Sequence, residues 1–307
     1  MTTHPELTTI RDYIRYATSC FNEAGLYFGH GTDNAWDEAI ALVFHTLHLP
    51  HHINPTVLDT HLTKLEQTKL MQLIEQRVTQ RIPLAYLTHE AWFAGLAFYV
   101  DERVLIPRSP IAELITNHFQ PWLDSREAES ILDLCTGCGC IAIACAKTFP
   151  HATVDASDIS LDALAIAKIN ILRHEVENQV HLIESDLFKS LPNKKYDLII
   201  SNPPYVSTEE MSSLPPEYLY EPTLGLAAGA EGLDFAKCIL QNAPTFLKSN
   251  GMLILEVGNS ESALSKRFSN IPFTWIEFDH GGGGVCILTA EQLPIQQAIL
   301  KESKFDL

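Results

Sequence analysis

The chain has 307 residues, of which 46% are hydrophobic and 19% charged, enough for one large or two ordinary globular domains. Its 15 glycines and 17 prolines are close to average usage, which excludes collagen-like and low-complexity proteins. No apolar stretch approaches the roughly 18 residues of a membrane span. The N-terminal segment shows no apolar run behind a basic leader, so we expect neither a secretory signal nor contact with a membrane.

The formal net charge is −17 at pH 7, and the acidic excess is spread along the chain rather than held in one tail. Binding to a phosphate backbone usually needs a basic stripe, whereas only short clusters such as Lys194-Lys195 and Lys266-Arg267 are present. We therefore expect no sequence-specific binding of nucleic acid. Two interpretations of the charge stay open, namely solubility alone and long-range attraction of a basic macromolecular partner.

The chain has seven cysteines, an odd number, and four of them lie between residues 135 and 145. This is not the pattern of a secreted disulfide framework, so a reducing cytoplasm is the expected location. The spacing Cys135-x-x-Cys138-x-Cys140, with Cys145 beyond, matches neither paired zinc knuckles nor a ferredoxin cluster motif. We interpret these cysteines as small apolar side chains that suit a tight turn.

Four histidines also lie close together in the chain: His45, His48, His51 and His52. No cysteine flanks them, and they form no His-Glu-x-x-His motif of the kind that binds zinc. We expect surface histidines there and no metal site.

Residues 1–82 are predicted to form a helical domain. In the first segment apolar side chains recur at helical spacing: Ile10, Tyr13, Ile14, Ala17 and Phe21. Asn34 is a suitable cap for a second helix that ends before Pro50, and a third helix is predicted from about Val57 to Val78.

Residues 83–108 are predicted to form a β-hairpin that links two domains. Two runs rich in β-forming residues, around Trp92–Phe93 and Phe98–Val100, are separated by Ala94-Gly95. The segment ends at Pro107.

From residue 109 to residue 307 the chain alternates between predicted strands and helices. The predicted strands are ILDLC, ATVDASD, VHLIESD, YDLIIS and MLILEVG, followed by a closing hairpin of FTWIEF and GVCILTA. Helices are predicted between them, among them Leu161–Arg173. This alternation predicts an α/β domain with a doubly wound, mostly parallel sheet, whose ligands bind at the carboxyl ends of the strands.

The first of these strands ends in a turn that we call the glycine turn, Cys135-Thr136-Gly137-Cys138-Gly139, and a helix follows. Glycine has no Cβ, so the backbone here can approach a ligand closely. Gly137-x-Gly139-x-x-Ala142 also fits the fingerprint of dinucleotide-binding proteins. The turn alone does not identify the ligand, so a dinucleotide oxidoreductase and a turn that serves packing only both stay open.

Two carboxylates follow the next predicted strands. Asp158 ends the second strand, where an acidic side chain is expected to accept from two ribose hydroxyls. Asp186 follows the third strand, where it could border an adenine ring. Either carboxylate could instead cap a helix.

The segment Asn202-Pro203-Pro204-Tyr205 directly follows a buried strand. Prolines lack a backbone N–H and make the turn rigid, while their carbonyls remain free to accept. The Asn202 side-chain oxygen and the Pro203 carbonyl offer two acceptors for a planar –NH2 group, and the Tyr205 ring can lie against that group. Such an arrangement suits group transfer to an amide or amino nitrogen, because orientation matters most for a weak nucleophile.

In this order, Asp133–Gly139, Asp158, Asp186 and Asn202–Tyr205 resemble the S-adenosylmethionine-dependent methyltransferases that modify planar amino or amide nitrogens. The segment PLAYLTHEAWFAGLAFYVDERVLIPRSP is similar to the glutamine methyltransferases of the HemK, PrmC and PrmB group. Glu221-Pro222-x-x-Gly225-Leu226, Gly232-Leu233-Asp234 and Phe278-Asp279-x-Gly281-Gly282 are also similar to that group. The resemblance implies a class I, Rossmann-like methyltransferase fold behind a small helical domain.

Within the group, Ile106-Pro107-Arg108-Ser109-Pro110 resembles the branch that methylates a glutamine of the third large-subunit ribosomal protein. The release-factor enzymes have IPRPETE at this place. The resemblance therefore implies a basic ribosomal protein as substrate, either free or in a large-subunit precursor. Three alternatives stay open: release factors as substrate, adenine amines of nucleic acid as substrate, and a non-catalytic assembly factor.

Residue by residue, the resemblance implies that S-adenosyl-L-methionine and its product S-adenosyl-L-homocysteine are bound by ten residues: Asp133, Cys135, Thr136, Gly137, Cys138, Gly139, Asp158, Asp186, Leu187 and Asn202. It implies that the glutamine amide is held by the catalytic residues Asn202, Pro203, Pro204 and Tyr205. One departure from the family pattern is Cys138, where Ser or Thr is expected, so a hydroxyl hydrogen bond to the cofactor would be weakened. The helical domain and the hairpin are implied to bind the protein substrate.

Overall fold

The structure is a computed structural model that describes residues 6–50, 52–123, 128–279 and 281–293. The chain divides into two compact units. The first unit comprises Met1–Ala91, Val100–Glu102 and Pro215–Tyr220, and the second comprises Trp92–Tyr99, Arg103–Leu214 and Glu221–Leu307. Among the described residues, no helix is both long and apolar enough to span a membrane.

The first unit is helical. Its helices are α1 (Ile10–Glu23), α2 (Ala35–Thr46), α3 (Lys64–Gln80) and α4 (Leu84–Thr88), with a 3-10 helix at Pro55–Asp59. The five apolar residues that predict α1 are its buried residues, so its amphipathic pattern is confirmed. Asn34 caps α2 as predicted, since its side chain accepts from the Asp37 backbone N–H at 3.0 Å.

Two local predictions in this part of the chain are wrong. The third helix begins at Lys64 rather than near Val57, because Thr63 and Glu66 form a capping box that fixes its start. Leu84–Thr88 is helical although the sequence predicts the hairpin from residue 83. This short helix ends at His89, which adopts a left-handed conformation with φ 53°.

A buried charge network holds Pro215–Tyr220 to the helices of the first unit. Arg77, only 1% exposed, donates from Nε to the Glu38 Oε1 atom at 2.6 Å. Its Nη1 lies 3.5 Å from Glu217 Oε1, which is also 3.2 Å from Nη2 of Arg81. Glu217 is fully buried, so removal of either arginine would leave charge without compensation in a medium of low dielectric.

The second unit opens with a short hairpin and a short helix. The hairpin pairs β1 (Ala91–Phe93) with β2 (Leu96–Phe98), and its turn is Ala94-Gly95 as predicted. Helix α5 covers Ile111–Thr116.

A seven-stranded sheet forms the centre of the second unit. Its strands are β3 (Ser130–Leu134), β4 (Thr153–Asp158), β5 (Val180–Glu184), β6 (Tyr196–Ser201), β7 (Leu247–Glu256), β8 (Thr274–Trp275) and β9 (Val285–Thr289). Their order is β5-β4-β3-β6-β7-β9-β8, with β9 antiparallel to β7 and β8 and all other pairs parallel. The prediction of a mostly parallel sheet with a closing antiparallel hairpin is confirmed.

The helices that accompany the sheet are α6 (Cys140–Thr148), α7 (Leu161–Arg173), α8 (Thr208–Met211), α9 (Asp234–Phe246) and α10 (Glu261–Arg267). Helix α7 has the predicted bounds. Buried aliphatic residues of α9 and of strands β6 and β7 share one core, for example Ile239, Leu240, Ile199 and Leu253. The chain order reverses direction at β3, so β3 and β6 are neighbours at the switch point where ligands of such sheets bind.

Candidate active site

Asp133, which is fully buried in β3, holds the glycine turn in place through hydrogen bonds. Its Oδ2 accepts from Thr136 Oγ1 at 2.5 Å and from the Ala142 backbone N–H at 3.1 Å, so one oxygen ties the strand to the turn and to α6. Burial raises the pKa of Asp133 to about 7. Among the described residues its Oδ1 has no hydrogen-bond partner.

The backbone of the turn has the conformation that its glycines permit. Gly137 and Gly139 have φ of 56° and 84°. A Cβ at Gly139 would lie 3.2 Å from the Ala167 Cβ, so glycine here allows α6 to pack closely on α7, whereas no atom lies within 4 Å of a Cβ built at Gly137. Open space above Gly137 leaves its backbone accessible to a ligand.

Asp158, the last residue of β4, accepts a hydrogen bond from the glycine turn. Its Oδ2 accepts from the Gly137 N–H at 2.9 Å, and its Oδ1 accepts from the Ser160 N–H at 2.9 Å. The pKa of Asp158 is raised by burial, against the lowering effect of these hydrogen bonds. Helix α7 is capped by the Ser160 side chain, which accepts from the Ala163 N–H, so Asp158 is not its cap. Each carboxylate oxygen keeps a further lone pair for a ligand hydroxyl.

Asp186 and Leu187 lie in the turn after β5. Asp186 accepts from Lys189 Nζ at 2.6 Å in an exposed ion pair. Leu187 has φ of 49° and is 8% exposed, so it presents a mostly buried apolar side chain.

Asn202 reaches the same site from β6. Leu134 pairs with Ser201 in the parallel ladder, so the residues that follow them, Cys135 and Asn202, leave the sheet side by side. Ser201 Oγ donates to the Leu134 carbonyl at 2.9 Å and fixes this exit. Within the described part of the chain, the Asn202 side chain forms no hydrogen bond, which leaves its amide available to a ligand.

These residues share one cleft, which we call the central cleft. Six of the ten predicted cofactor residues line it: Cys135, Gly137, Asp158, Asp186, Leu187 and Asn202. Pro204 lines it as well. The sequence does not single out several other lining residues, for example Leu105, Leu224 and Phe235, because only the fold brings them to the strand ends.

The other predicted cofactor residues lie outside this lining: Asp133, Thr136, Cys138 and Gly139. Cys138 is only 2% exposed, so its side chain faces the protein interior. The expected weakening of a hydrogen bond from residue 138 to the cofactor stays a prediction. Asp133 and Thr136 support the turn through their mutual hydrogen bond.

Tyr205 borders a second cleft, which we call the side cleft, together with Glu256, Gly258, Glu261 and Gly284. Its hydroxyl lies 3.4 Å from Glu256 Oε1. Pro203 is buried and lines neither cleft. Of the four predicted catalytic residues, the structure thus brings Asn202 and Pro204 to the central cleft and Tyr205 to its neighbour.

An ion pair fixes one wall of the central cleft. Arg108 donates from Nη1 to Glu221 Oε1 at 2.7 Å and from Nη2 to Oε2 at 2.8 Å, and the Ile106 N–H donates to Oε1 at 3.1 Å. The Glu221 side chain is fully buried, so the bidentate pair compensates its charge. The next residue, Pro222, and then Gly225 line the cleft.

Comparisons with known proteins identify the family of this chain. A family model described as Methyltransferase small domain matches residues 112–215. A ribosomal protein uL3 glutamine methyltransferase of Xanthomonas campestris is 52% identical over 297 residues, which cover 97% of this chain and 96% of that protein. A protein of the same name from Neisseria gonorrhoeae is 50% identical and covers 94% of this chain and 96% of its own length. This chain belongs to the uL3 glutamine methyltransferase family.

The family identity confirms the resemblance seen in the sequence, and the dinucleotide oxidoreductase interpretation is set aside. Among solved structures, the hMettl16 catalytic domain, determined with a MAT2A 3′UTR hairpin, superposes with a TM-score of 0.52. It is 16% identical and covers 78% of this chain and 87% of its own. At that identity the likeness shows the fold alone, which is the class I methyltransferase fold.

The central cleft of this methyltransferase fits S-adenosylmethionine, the methyl donor of its class. Asp158 offers lone pairs for the ribose hydroxyls, the apolar Leu187 and Ile159 offer contact for a purine ring, and the open backbone at Gly137 suits the methionine part. When bound, this cofactor supplies an electrophilic methyl group on a sulfonium sulfur. Asn202 and Pro204 line the same cleft.

The described residues of this methyltransferase hold no group of three or more metal-ligating side chains. All seven cysteines are free, and those at positions 138, 140 and 145 are buried. His45, His48 and His52 form no such group, and His51 lies outside the described residues.

Proposed function

We propose that this protein transfers the methyl group of S-adenosyl-L-methionine to the side-chain amide nitrogen of a glutamine in ribosomal protein uL3, and releases S-adenosyl-L-homocysteine. The observation that carries the proposal is the Asn202 carboxamide, which lines the central cleft beside Gly137 and Asp158 without a hydrogen bond to any described residue. Two relatives of at least 50% identity, which span nearly the whole chain and bear this activity in their names, support the choice of substrate.

The residues after β6 have the chemistry that this transfer needs. The glutamine –NH2 has two hydrogens. The Asn202 side-chain oxygen is an acceptor in the central cleft. We propose the carbonyl of Pro203 as the second acceptor, although Pro203 itself is buried and lines neither cleft. An amide lone pair is delocalised and weakly nucleophilic, so holding the nitrogen in line with the methyl group contributes more than a strong base does. The N–CH3 bond forms as the S–CH3 bond breaks, and the very acidic proton on the methylated amide then leaves to solvent.

The rigid turn keeps the acceptors in place. Pro203 and Pro204 have no N–H, so the turn cannot satisfy its own carbonyls by local backbone pairing. Both prolines are buried, which limits motion of the segment and of the Asn202 side chain that precedes it.

The overall charge is consistent with a ribosomal protein as partner. A net charge of −17 favours encounter with a basic protein over long range and disfavours binding to a phosphate backbone. We propose that the helical first unit and the hairpin bind this partner, either free or in a large-subunit precursor, without sequence-specific nucleic-acid contacts. We propose that the reaction takes place in the cytoplasm.

The proposal is tested by methyl transfer from labelled S-adenosylmethionine to ribosomes and extracted proteins of a strain that lacks this gene. Mass spectrometry then locates the label, and the Asn202→Ala variant serves as the matched control for contaminating activity. We expect a single labelled glutamine in uL3. Label on release factors or on nucleic acid would overturn the substrate, and the absence of label would favour a non-catalytic assembly role.

A further inference from the structure

A buried carboxyl group that the proposed reaction does not use lies at the end of β7. Glu256 is the last residue of that strand and is only 3% exposed. It lines the side cleft with Tyr205 and lies outside the lining of the central cleft. Burial of an acid lowers stability unless its oxygens are compensated, so its partners indicate what it holds.

Glu256 has two hydroxyl partners. Its Oε2 accepts a short hydrogen bond from Ser109 Oγ, and its Oε1 faces the Tyr205 hydroxyl at 3.4 Å. Ser109 is itself fixed at the start of α5, where its Oγ accepts from the Ile111 N–H at 3.1 Å. One oxygen of Glu256 is thereby anchored to a rigid element, and the other is left facing Tyr205.

The rest of Tyr205 is held by the segment that follows β7. Ser260 Oγ donates to the Tyr205 carbonyl at 3.0 Å. A Cβ at Gly258 would lie 2.5 Å from a ring carbon of Tyr205, so the ring packs directly on the glycine backbone. The backbone and the ring of Tyr205 are thus held by the segment after β7, and the Tyr205 hydroxyl donates to Glu256 Oε1 at 3.4 Å.

We propose that Glu256 is a positioning residue for methyl transfer. It acts by holding the hydroxyl of Tyr205, and thereby the segment Asn202–Tyr205, of which Asn202 and Pro204 line the central cleft. The inference rests on the proposed function. Ser109 is the anchor that keeps the Glu256 carboxyl in place.

The charges around Glu256 are consistent with this role. Arg108 and Glu261 line the same cleft, and Arg108 is engaged in its bidentate pair with Glu221. Burial raises the pKa of Glu256 to about 7, against the hydrogen bonds from Ser109 and Tyr205 and the positive charge of Arg108. Because a tyrosine hydroxyl both donates and accepts, it can bond this carboxyl in either protonation state.

The test is a double-mutant cycle with steady-state kinetics on uL3 and on S-adenosylmethionine. Glu256→Leu removes both acceptors, and Tyr205→Phe removes only the hydroxyl. We expect each single variant to lower kcat about tenfold while KM for S-adenosylmethionine changes less than about twofold. The double variant is expected to be no slower than either single variant, because both remove the same interaction.

Two further variants separate positioning from stability. Glu256→Gln keeps an acceptor for the Tyr205 hydroxyl and should restore kcat to within about threefold of wild type. Glu177→Gln, at an exposed acid that lines neither cleft, is the control and should leave kcat unchanged. Tyr205→Phe removes only one half-buried hydroxyl, so we expect this variant to fold. Its kcat therefore tests the role of the Tyr205 hydroxyl even if Glu256→Leu does not fold.

Three results would overturn the inference: an unchanged kcat in Tyr205→Phe, multiplicative losses in the double variant, or lower melting temperature with normal kcat in Glu256→Leu. Failure of the proposed function looks different, because the wild-type protein itself would then transfer no methyl group to uL3. In that case both statements fall together.

Discussion

Asn170 of α7 donates a hydrogen bond from Nδ2 to the carbonyl of Cys138 in the glycine turn, at 2.9 Å. The same amide group donates to the Tyr99 carbonyl at 3.0 Å, and its Oδ1 accepts from the Tyr99 N–H at 2.7 Å. Asn170 is fully buried. One side chain therefore connects the glycine turn with the residue that follows β2 and compensates three backbone groups.

Substitution of Asn170 is expected to affect both stability and cofactor binding. Asn170→Leu removes three hydrogen bonds to backbone groups of Cys138 and Tyr99, so we expect the free energy of unfolding to fall by about 2–4 kcal/mol. Because the turn loses a fixed contact, affinity for S-adenosylmethionine should fall as well. Denaturant titration and calorimetry measure the two effects. Lys168→Gln, at an exposed position of the same helix, is the control. Equal free energies of unfolding and equal cofactor affinities in the two variants would contradict the predicted role of Asn170.

Asn202→Ala is expected to abolish methyl transfer nearly completely while binding of S-adenosylmethionine remains. The reason is that the variant removes an acceptor that orients the substrate amide, whereas Asp158 and the glycine turn stay in place. Single-turnover transfer and calorimetric titration of the cofactor give the two quantities. Equal loss of transfer and of cofactor binding would instead make Asn202 part of the cofactor site.

Asp158→Ala is expected to weaken cofactor binding by about 1–3 kcal/mol, the usual contribution of a hydrogen bond to a charged group. The substitution also leaves the N–H groups of Gly137 and Ser160 without their acceptor. Asp162→Asn, at an exposed acid in the first turn of α7, is the matched control. Unchanged cofactor affinity in Asp158→Ala would show that this carboxylate only shapes the turn.

Loss of one partner of the Arg108–Glu221 ion pair is expected to lower the free energy of unfolding more than replacement of both partners by apolar residues. Arg108→Met removes the bidentate ion pair of a buried carboxylate and should lower the free energy of unfolding by about 3–5 kcal/mol. The double variant Arg108→Met, Glu221→Leu should recover much of that loss, since no isolated charge remains. Urea titration measures both variants. A double variant less stable than Arg108→Met would show that Glu221 has a role beyond this pair.

The elements of the fold that depend on local pattern could be predicted from the sequence. The apolar spacing in α1 and the bounds of α7 follow from the helical period. The Thr63–Glu66 capping box is a local signal for the start of α3 at Lys64, whereas apolar spacing alone predicts a start near Val57. The prediction of a hairpin at Leu84–Thr88 is wrong because the aromatic and β-branched residues of this segment also suit a strand. Packing of Leu84 in the core of the first unit favours the helix instead.

The site could be predicted only in part, for a physical reason. The sequence predicts that Asn202 and Asp158 lie at one site, because the carboxyl ends of parallel strands meet at one edge of a sheet. Asn170, Glu221 and Glu256 were not assigned these roles, because each bonds to atoms far away in the chain and no local period records such a pairing. The side of the turn on which Cys138 lies is likewise set by the packing of the turn's backbone.

Finally, stability should depend on the protonation of Asp133. Its pKa rises from an ordinary 3.8 to about 7 on folding, chiefly because it is buried, so the folded state binds this proton more tightly than the unfolded state. The stabilisation of the folded state by the protonated Asp133 side chain is fully present below about pH 4 and is lost as pH rises toward 7, by at most ~1.4 kcal/mol per pH unit.

The variant Asp133→Asn tests this dependence, because its side chain has the same shape and its amide oxygen can still accept from the Ala142 N–H. We therefore expect its free energy of unfolding, relative to wild type, to rise between pH 4 and pH 8. Because Glu256 titrates in the same range and is present in both proteins, the difference between the two curves isolates Asp133. Parallel curves across that range would contradict a raised pKa at this site.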